Sequence, residues 1–258
     1  MVLKQILDKL AIYLYKFLKF HGLIVGAMLP MVMASCEGGS EKLSKESKES
    51  KEQKVSKCII TKHRKYNVIE FSPQAMKMGV SLHKPSKADF YINSNFFNEK
   101  PIGLVVVEGK KINSRINGGG YFYVKDDLPN ISVKSCPKVT EFASQTILWG
   151  IDDGTLNYSL FAKHHACEKE YRTIFGKTTT GNFLIVASNN KGLVSIEEIS
   201  RFANELGMVE GVLFDGGSSV DYKFFDKKET VVFKSVNGLI KQIGGIHEPM
   251  VYIFGNYQ

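Results

Sequence analysis

The segment Tyr171–Tyr222, which reads YRTIFGKTTTGNFLIVASNNKGLVSIEEISRFANELGMVEGVLFDGGSSVDY, decides the predicted fold of this chain of 258 residues. Its run Asn182–Ser188 is rich in β-branched and aromatic residues and has the length of a strand. Ser195 stands three residues before Glu198 and just ahead of apolar positions with helical spacing, which is the pattern of a capping box. The segment therefore predicts a strand and then a helix that ends at Gly207.

A short apolar run, Gly211–Phe214, follows the helix and leads directly into the Asp-Gly-Gly-Ser-Ser turn, Asp215–Ser219. The run is typical of a buried strand, so a carboxylate is expected at a strand end. The two glycines allow a sharp turn and the close approach of a ligand, and successive backbone N–H groups in such a turn can face an anion. A plain hairpin turn is the alternative interpretation of the same residues.

Motifs on both sides of this turn occur in a recognisable order. Arg172 stands ahead of the predicted strand, and Asp215–Ser219 follows the helix. Upstream, Phe90–Phe97 reads FYINSNFF and is followed by the Gly-Leu-Val run Gly103–Val105. In this order the motifs resemble the phosphodiester glycosidase family, and the resemblance covers about Phe90–Gly255.

The resemblance implies a reaction that breaks the bond between the anomeric carbon of a sugar and a phosphodiester oxygen. The departing phosphate is already a stable anion, so a cationic site for it matters more than a general acid of raised pKa. The planar guanidinium of Arg172 matches two phosphate oxygens. Asp215 can stabilise the oxocarbenium-like centre, attack it or activate water, and the sequence leaves these roles open. Arg172 and Asp215 are the predicted catalytic residues.

A further group of residues is predicted to bind the substrate. The amides of Asn93 and Asn95 can bond sugar hydroxyls beside two phenylalanines, although asparagines that form a turn are the alternative. The turn after Asp215 is expected to line the phosphate, whereas Thr173 also fits a plain strand position. The predicted substrate-binding residues are Asn93, Asn95, Thr173, Gly216, Gly217, Ser218 and Ser219.

The chain departs from the family pattern in three places. The family usually has Asp-Gly-Gly-Gly-Ser, so Ser218 stands in place of a glycine. Ser144–Trp149 lies where the family often has Gln-Ser-Gly-Pro, and His247–Pro249 lies where Arg-Pro is common. These departures leave open a second class of function, a non-catalytic glycan-binding or envelope-assembly lipoprotein on the same fold.

Other acidic residues have simpler explanations. The capping box accounts for Glu198, and Asp152–Gly154 fits a hairpin turn. No Asp-x-Asp-x-Asp spacing demands a metal ion, so no cofactor is expected, although a divalent cation near Asp215 is compatible with the chemistry. No cluster of basic and aromatic residues indicates nucleic acid as a partner. The expected partner is therefore a glycan or glycolipid with a phosphodiester link.

The cysteines leave several alternatives open. If Cys36 is lipidated, Cys58, Cys136 and Cys167 remain, which allows one disulfide and one free thiol of undetermined pairing. A catalytic cysteine would need an activating partner, and the histidines near Cys167 are adjacent residues of a polar loop, which are usually solvated.

Residues 1–36 have the layout of a bacterial lipoprotein signal peptide. The uncharged run Gly22–Ser35 has 14 residues, which are too few to span a membrane comfortably, and its small final residues precede Cys36 as in a lipobox. Lipidation of Cys36 would place the protein in the cell envelope, exposed to the periplasm or cell surface. A retained anchor or an amphipathic helix over Leu3–Phe20 is the alternative, and it also tethers the chain to a membrane.

Residues 37–57 read EGGSEKLSKESKESKEQKVSK and have too few apolar residues to form a core, so they are predicted to be a disordered linker. Of the formal net charge of +8, the signal peptide carries +3 (four lysines less Asp8) and the linker +1 (six lysines less five glutamates). The remaining +4 belongs to residues 58–258 and suits anionic substrates.

Residues 58–258 form one predicted domain of α+β class, with a twisted, mixed sheet and few helices. The only long helix is Ser195–Leu206, expected on one face of the sheet, and Ser72–Gly79 is predicted as a helix of one or two turns. The oligomeric state is not predicted. The strand candidates are Lys65–Phe71, Phe90–Ile92, Gly103–Val107, Gly120–Val124, Ile147–Trp149, Phe183–Ala187, Val212–Phe214, Val231–Phe233 and Met250–Phe254.

Overall fold

The described part of the chain folds mainly into three antiparallel sheets. The computed structural model describes residues 58–97, 100–136, 138, 140–226, 228–235 and 251–258. The predicted signal peptide, the predicted linker, Cys36 and His247–Pro249 lie outside these residues. Within the described ranges, no helix combines the length and the apolar character needed to cross a membrane.

The strands are β1 (Ile59–Lys62), β2 (Tyr66–Phe71), β3 (Met76–Ser81), β4 (Phe90–Asn93), β5 (Val105–Val107), β6 (Lys110–Asn113), β7 (Tyr121–Lys125), β8 (Leu128–Ser132), β9 (Phe142–Gln145), β10 (Leu148–Asp152), β11 (Thr155–Leu156), β12 (Thr173–Thr178), β13 (Phe183–Ser188), β14 (Met208–Leu213), β15 (Asp221–Phe225), β16 (Thr230–Lys234) and β17 (Tyr252–Tyr257). The helices are α1 (Tyr158–Phe161), α2 (His164–Cys167) and α3 (Ile196–Glu205), with short 3-10 turns at Pro73–Ala75 and Gly217–Ser219.

Sheet I has seven strands in the order β1-β2-β13-β12-β14-β10-β11. Sheet II has the order β16-β15-β4-β17-β3, and sheet III has the order β6-β5-β9-β7-β8. The α+β class with few helices is confirmed. The described strand pairs are all antiparallel, whereas a single mixed sheet was expected.

The path from β13 through α3 to β14 explains this difference. A strand, a helix and a strand in succession often form a parallel pair. Here β12 lies between the two strands and pairs antiparallel with both of them. The helix therefore crosses over β12. As a result, β13 and β14, which the sequence pattern favours as a parallel pair, are not neighbours in the sheet.

Helix α3 has the predicted capping box. The Ser195 hydroxyl accepts a hydrogen bond of 3.1 Å from the Glu198 amide, and the Glu198 carboxylate accepts one of 2.8 Å from the Ser195 amide. The helix ends just before Gly207, whose φ of +93° is a conformation that glycine adopts without strain. Ile199 and Ala203 are fully buried on its apolar face against sheet I.

The predicted helix Ser72–Gly79 is wrong beyond its first turn. Only Pro73–Ala75 is helical, and Met76–Ser81 is strand β3, which pairs with β17 along its whole length. Met76 and Met78 are buried while Lys77 between them is exposed, so the side chains alternate with the period of a strand. Long-range pairing and this alternation outweigh the helical signal of the proline.

The main apolar core lies between the three sheets. Phe71 and Phe175 enter it from sheet I, Phe90 from sheet II and Phe122 from sheet III. The rings of Phe122 and Phe175 stack with centroids 5.8 Å apart, and those of Phe71 and Phe90 are 6.3 Å apart. Sheets I and II therefore share a rigid interior, and the loops that join them are anchored on it.

The three cysteines of the described residues, Cys58, Cys136 and Cys167, are free thiols. Burial raises the pKa of Cys58 and of Cys136 to about 11. The disulfide that the sequence allowed is therefore not formed between them.

Candidate active site

The two predicted catalytic residues lie where three loops meet at the junction of sheets I and II. One loop follows β4, one precedes β12, and one leads from β14 to β15 and carries the Asp-Gly-Gly turn. The Asp215 amide donates a hydrogen bond of 2.9 Å to the Ser94 carbonyl, and the Gly217 amide donates one of 2.8 Å to the Tyr171 carbonyl. These bonds hold the turn against both of the other loops.

Asn93 fixes both ends of the loop that carries the turn. Its side chain is fully buried. Its Nδ2 group donates a hydrogen bond of 2.9 Å to the Asp215 carbonyl, and its Oδ1 atom accepts one of 3.1 Å from the Asp221 amide. Its amide group is thus engaged within the protein, although it was predicted to bond a sugar hydroxyl.

Asn95 is held in the same way by the end of β9 and by Ile102, which precedes β5. Its Nδ2 group donates hydrogen bonds to the carbonyls of Gln145, at 2.8 Å, and Ile102, at 3.1 Å. Its Oδ1 atom accepts hydrogen bonds from the hydroxyls of Ser94 and Ser144. Both asparagines therefore lie at the site and position its loops, and direct contact with substrate stays a prediction for each.

Arg172 is buried just before β12 and is held by α2 and the residue that follows it. Its Nη2 group donates hydrogen bonds to the carbonyls of His165, at 3.2 Å, and Glu168, at 3.3 Å. The same Nη2 group lies 3.1 Å from the Glu170 carboxylate, which is the ion-pair partner of Arg172 among the described residues. Burial lowers the pKa of Arg172, and the nearby carboxylates oppose that effect.

The guanidinium also packs against the turn. An ideal Cβ atom on Gly216 would lie 3.2 Å from Nη1 of Arg172 and only 2.8 Å from the Tyr171 carbonyl oxygen. A side chain at this position would therefore push the turn away from the arginine. Glycine at position 216 is required here by close approach.

Two buried polar atoms at the start of β12 have no hydrogen-bond partner within the described ranges. They are Nε of Arg172 and Oγ1 of Thr173. An unpaired buried donor costs about 1–3 kcal/mol, so native proteins keep few of them without a reason. The orphan Nε is part of the planar fork that recognises phosphate, and a bound anion would satisfy it.

Asp215 is half-buried at the start of the turn. Burial raises the pKa of its carboxyl group to about 6, and the negative charge of Glu170 adds to this effect. Hydrogen bonds from the Ser219 hydroxyl and the Gly216 amide lower the pKa, as does the positive charge of Arg172. The carboxyl group therefore exchanges its proton near neutral pH, which suits a group that acts in acid–base or nucleophilic chemistry.

The rest of the turn is open to solvent. Gly217, Ser218 and Ser219 form the short 3-10 turn and are each half-exposed. Gly217 has a φ of +60°, a conformation that glycine adopts readily. The Gly217 amide is already bonded to the Tyr171 carbonyl and the Ser219 amide to the Gly216 carbonyl, so contact of these amides with a phosphate stays a prediction, as it does for Thr173, which is fully buried.

Glu170 is a residue of the site that the sequence patterns did not single out. Its carboxylate contacts Arg172, lies near Gly217 and acts on the pKa of Asp215. The available signal was its position two residues before Arg172, because alternate residues of an extended segment point to the same side.

Ile147 has a strained backbone conformation and lies two residues after Gln145, whose carbonyl accepts a hydrogen bond from Asn95. Its φ is +60°, in a region that β-branched residues rarely adopt. The segment Ser144–Trp149 is the one in which the chain departs from Gln-Ser-Gly-Pro, and Ile147 follows Gln145 where that pattern has its glycine. The backbone at Ile147 thus has a conformation that glycine adopts without strain.

Among the described residues, no three or more His, Cys, Asp or Glu side chains are grouped to hold a metal ion. That the site works without a cofactor stays a prediction. A divalent cation near Asp215 stays an open alternative.

The family of the chain follows from a comparison with protein-family models. The model described as phosphodiester glycosidase matches residues 86–238, which include both predicted catalytic residues and the asparagines after β4. The chain belongs to the phosphodiester glycosidase family. The match covers more than half of the 258 residues.

Solved structures share the fold of this phosphodiester glycosidase domain. One is the catalytic domain of zebrafish N-acetylglucosamine-1-phosphodiester alpha-N-acetylglucosaminidase, auto-inhibited by pro-peptide, with a TM-score of 0.59 and 12% identity over 81% of this chain and 85% of that chain. Another is a hypothetical protein from Synechocystis, with a TM-score of 0.53 and 13% identity over 79% of this chain and 62% of that chain. At these identities the likeness concerns the fold alone. In a comparison with curated proteins, no sequence matches the chain.

Proposed function

We propose that this protein is an exported hydrolase that cleaves a sugar-1-phosphodiester linkage in a surface glycan or glycolipid. One observation carries the proposal. The Asp215 carboxyl group, whose pKa is raised to about 6, begins the glycine turn against which the Arg172 guanidinium packs, while the ion-pair partner of Arg172 is Glu170. A cation for phosphate and a carboxyl group that titrates near neutral pH are the two groups that the reaction requires.

Arg172 has the properties of a phosphate ligand. Its side chain is only 10% exposed and is held in place by two backbone carbonyls, so little order has to be gained when an anion binds. Its unpaired Nε provides a further donor for a second phosphate oxygen. The half-exposed Ser218 presents a further hydroxyl on the turn.

Asp215 acts on the sugar side of the scissile bond. As a carboxylate it stabilises positive charge at the anomeric carbon, attacks that carbon or removes a proton from water. Because the leaving group is a phosphate monoester, a stable anion that Arg172 binds, the reaction does not depend on a separate carboxylic acid to protonate it.

The substrate class is supported by the family and by one of the matched structures. The zebrafish protein is named N-acetylglucosamine-1-phosphodiester alpha-N-acetylglucosaminidase, and this name specifies a sugar linked to a phosphodiester.

A panel of glycosyl phosphodiesters tests the proposal. The full-length protein should release free sugar from at least one member of the panel, and Asp215→Asn should release about a hundredfold less. Tight binding of a panel member without turnover would instead support the alternative of a non-catalytic glycan-binding or envelope-assembly lipoprotein. If the protein neither binds nor hydrolyses any member of the panel, both the hydrolase and the glycan-binding function are contradicted.

Export and membrane attachment are part of the proposal and depend on the sequence. Lipidation of Cys36 would tether the domain to a membrane of the cell envelope and expose it to the periplasm or the cell surface. Intact-mass measurement of membrane-extracted protein should show a chain that begins at a lipid-modified Cys36. A chain that begins at Met1 without lipid would contradict the anchor.

A further inference from the structure

Glu170 is a second carboxylate at the candidate active site, and the proposed reaction assigns it no role. Its Oε2 atom lies 3.1 Å from Nη2 of Arg172. The ideal Cβ position on Gly217 is 3.4 Å from the same oxygen. The Glu170 carboxylate therefore lies against both the guanidinium and the turn, which is the location proposed for the phosphate.

The side chain of Glu170 is free to leave this location while its backbone stays fixed. The side chain is 42% exposed, whereas that of Arg172 is 10% exposed. The backbone is held by two hydrogen bonds with Val194, of 3.1 Å from the Glu170 amide and 2.9 Å to the Glu170 carbonyl. Rotation of the side chain into water would therefore release Arg172 without moving the strand bridge.

The charges at the site favour exchange of one anion for another. Glu170, Glu168 and Asp215 place three carboxylates around the guanidinium of Arg172, and the charge of Glu170 disfavours ionisation of Asp215. An additional anion would be repelled by all three carboxylates. A phosphodiester that replaces the Glu170 carboxylate keeps the arginine paired and leaves the net charge of the site unchanged, since each carries one negative charge.

The hydrogen bonds of Arg172 favour phosphate as the replacement. Nη2 donates to the carbonyls of His165 and Glu168, and Glu170 adds an ion pair at 3.1 Å, but the buried Nε has no partner among the described residues. A phosphate group has several acceptor oxygens, so one oxygen can replace the carboxylate in the ion pair while another accepts a hydrogen bond from Nε.

We propose that Glu170 is a selectivity residue, which occupies the anion position of Arg172 in the free protein and is displaced by the phosphodiester group of the substrate. The identity of that group rests on the proposed function. A tethered carboxylate competes at high local concentration, so small anions alone bind weakly. A substrate that also binds through its sugar has the additional interactions needed to displace it.

Titration with inorganic phosphate tests this role. The ¹⁵N-labelled full-length protein is titrated and the amide signals of Gly216 and Gly217 are followed. Glu170→Gln should bind phosphate about tenfold more tightly than the unmodified protein, because the competing charge is gone. The matched control is Glu197→Gln, which removes a carboxylate from the exposed pair with Arg201, at 2.6 Å on α3, and should bind like the unmodified protein.

Equal phosphate affinity in Glu170→Gln and the unmodified protein would overturn the proposal, and so would the absence of phosphate binding by Glu170→Gln. Glu170→Ala should reproduce the gain, and adding Arg172→Lys to Glu170→Gln should abolish it. The readout is binding and needs no turnover. A retained gain in affinity with no hydrolysis of any glycosyl phosphodiester would therefore support the role of Glu170 and contradict the hydrolase.

Discussion

Asn93 donates a hydrogen bond of 2.9 Å to the backbone carbonyl of Asp215 from a fully buried side chain. Its other amide atom accepts from the Asp221 amide, so one side chain spans the loop on which the candidate carboxylate lies. The proposed catalytic residue is therefore positioned through its own backbone.

Replacing this clamp should affect stability and turnover together. Asn93→Ala leaves two buried backbone groups unpaired, so the free energy of unfolding should fall by about 1–3 kcal/mol. Urea denaturation measures the loss, and Asn256→Ala, at an exposed position of sheet II, is the control. If the asparagine only positions Asp215, kcat should fall while KM changes little. An increase in KM alone, with stability unchanged, would indicate that Asn93 binds the sugar directly.

Arg172→Lys and Asp215→Asn should each fold and lose at least about a hundredfold in kcat/KM, or roughly 2.7 kcal/mol of transition-state stabilisation. Lysine replaces a planar fork by a point charge, and asparagine removes the ionisable group. Steady-state kinetics on a verified glycosyl phosphodiester measures both losses. Arg201→Lys, in a surface ion pair on α3, should keep normal kinetics. Near-normal hydrolysis by either site variant, once shown to be folded, would end its catalytic assignment.

The raised pKa of Asp215 predicts a pH-dependent difference in stability. Its folded pKa of about 6 lies above its ordinary value, so the folded state favours the protonated form. This contribution is complete at low pH and is lost as the pH rises through about 6. Asp215→Asn cannot ionise, so its Tm should exceed that of the unmodified protein above pH 7, by the equivalent of roughly 1–2 kcal/mol after allowance for solvent.

Thermal melts between pH 4 and pH 8 test this dependence, and the difference in Tm should vanish towards pH 4. Glu197→Gln, at an exposed carboxylate, is the control. A difference that is constant across this range would show that the carboxyl group of Asp215 titrates with its ordinary pKa.

Relief of the strain at Ile147 should stabilise the fold. A left-handed conformation costs a non-glycine residue about 1–2 kcal/mol, so Ile147→Gly should raise the free energy of unfolding by about 1 kcal/mol after loss of side-chain packing. Asp153→Gly is a matched comparison, since Asp153 also has a positive φ, of 48°, but aspartate tolerates this region better. If Asp153→Gly raises the free energy of unfolding as much as Ile147→Gly or more, the proposed strain at Ile147 is contradicted.

Removal of residues 1–57 should leave folding intact. The linker cannot contribute to an apolar core, because it has almost no apolar residues. The Tm of residues 58–258 should therefore match that of the full-length protein when both are measured in the same detergent-containing buffer. A drop of several degrees on truncation would mean that the N-terminal segment binds the domain.

Local signals in the sequence were sufficient for the elements that depend on neighbouring residues. The capping box of α3, its final glycine and the Asp153-Gly154 turn between β10 and β11 are each specified within a few positions, and the structure has all three. Two residues at the junction were also predictable, because both lie close to predicted strand ends. Arg172 comes just before β12, and Asp215 comes two residues after β14.

The roles of the asparagines were not predictable in the same way. Whether Asn93 faces a ligand or the protein depends on Asp221, and for Asn95 it depends on Gln145, both far along the chain. The same limit applies to β3, which is a strand because β17 pairs with it. Contacts of this kind are set by topology, which a local pattern does not contain.

The junction of the three loops has a consequence for the order in which the protein becomes competent. Asn93 and Asp215 are 122 positions apart in the chain, so their contact closes one of the longer loops of the fold. Contacts between distant residues form slowly, because chain entropy is lost before they are made. A chain that is still being synthesised therefore carries Arg172 before its turn exists, and sheet II, which needs the more distant pairing of β3 with β17, cannot close until later still.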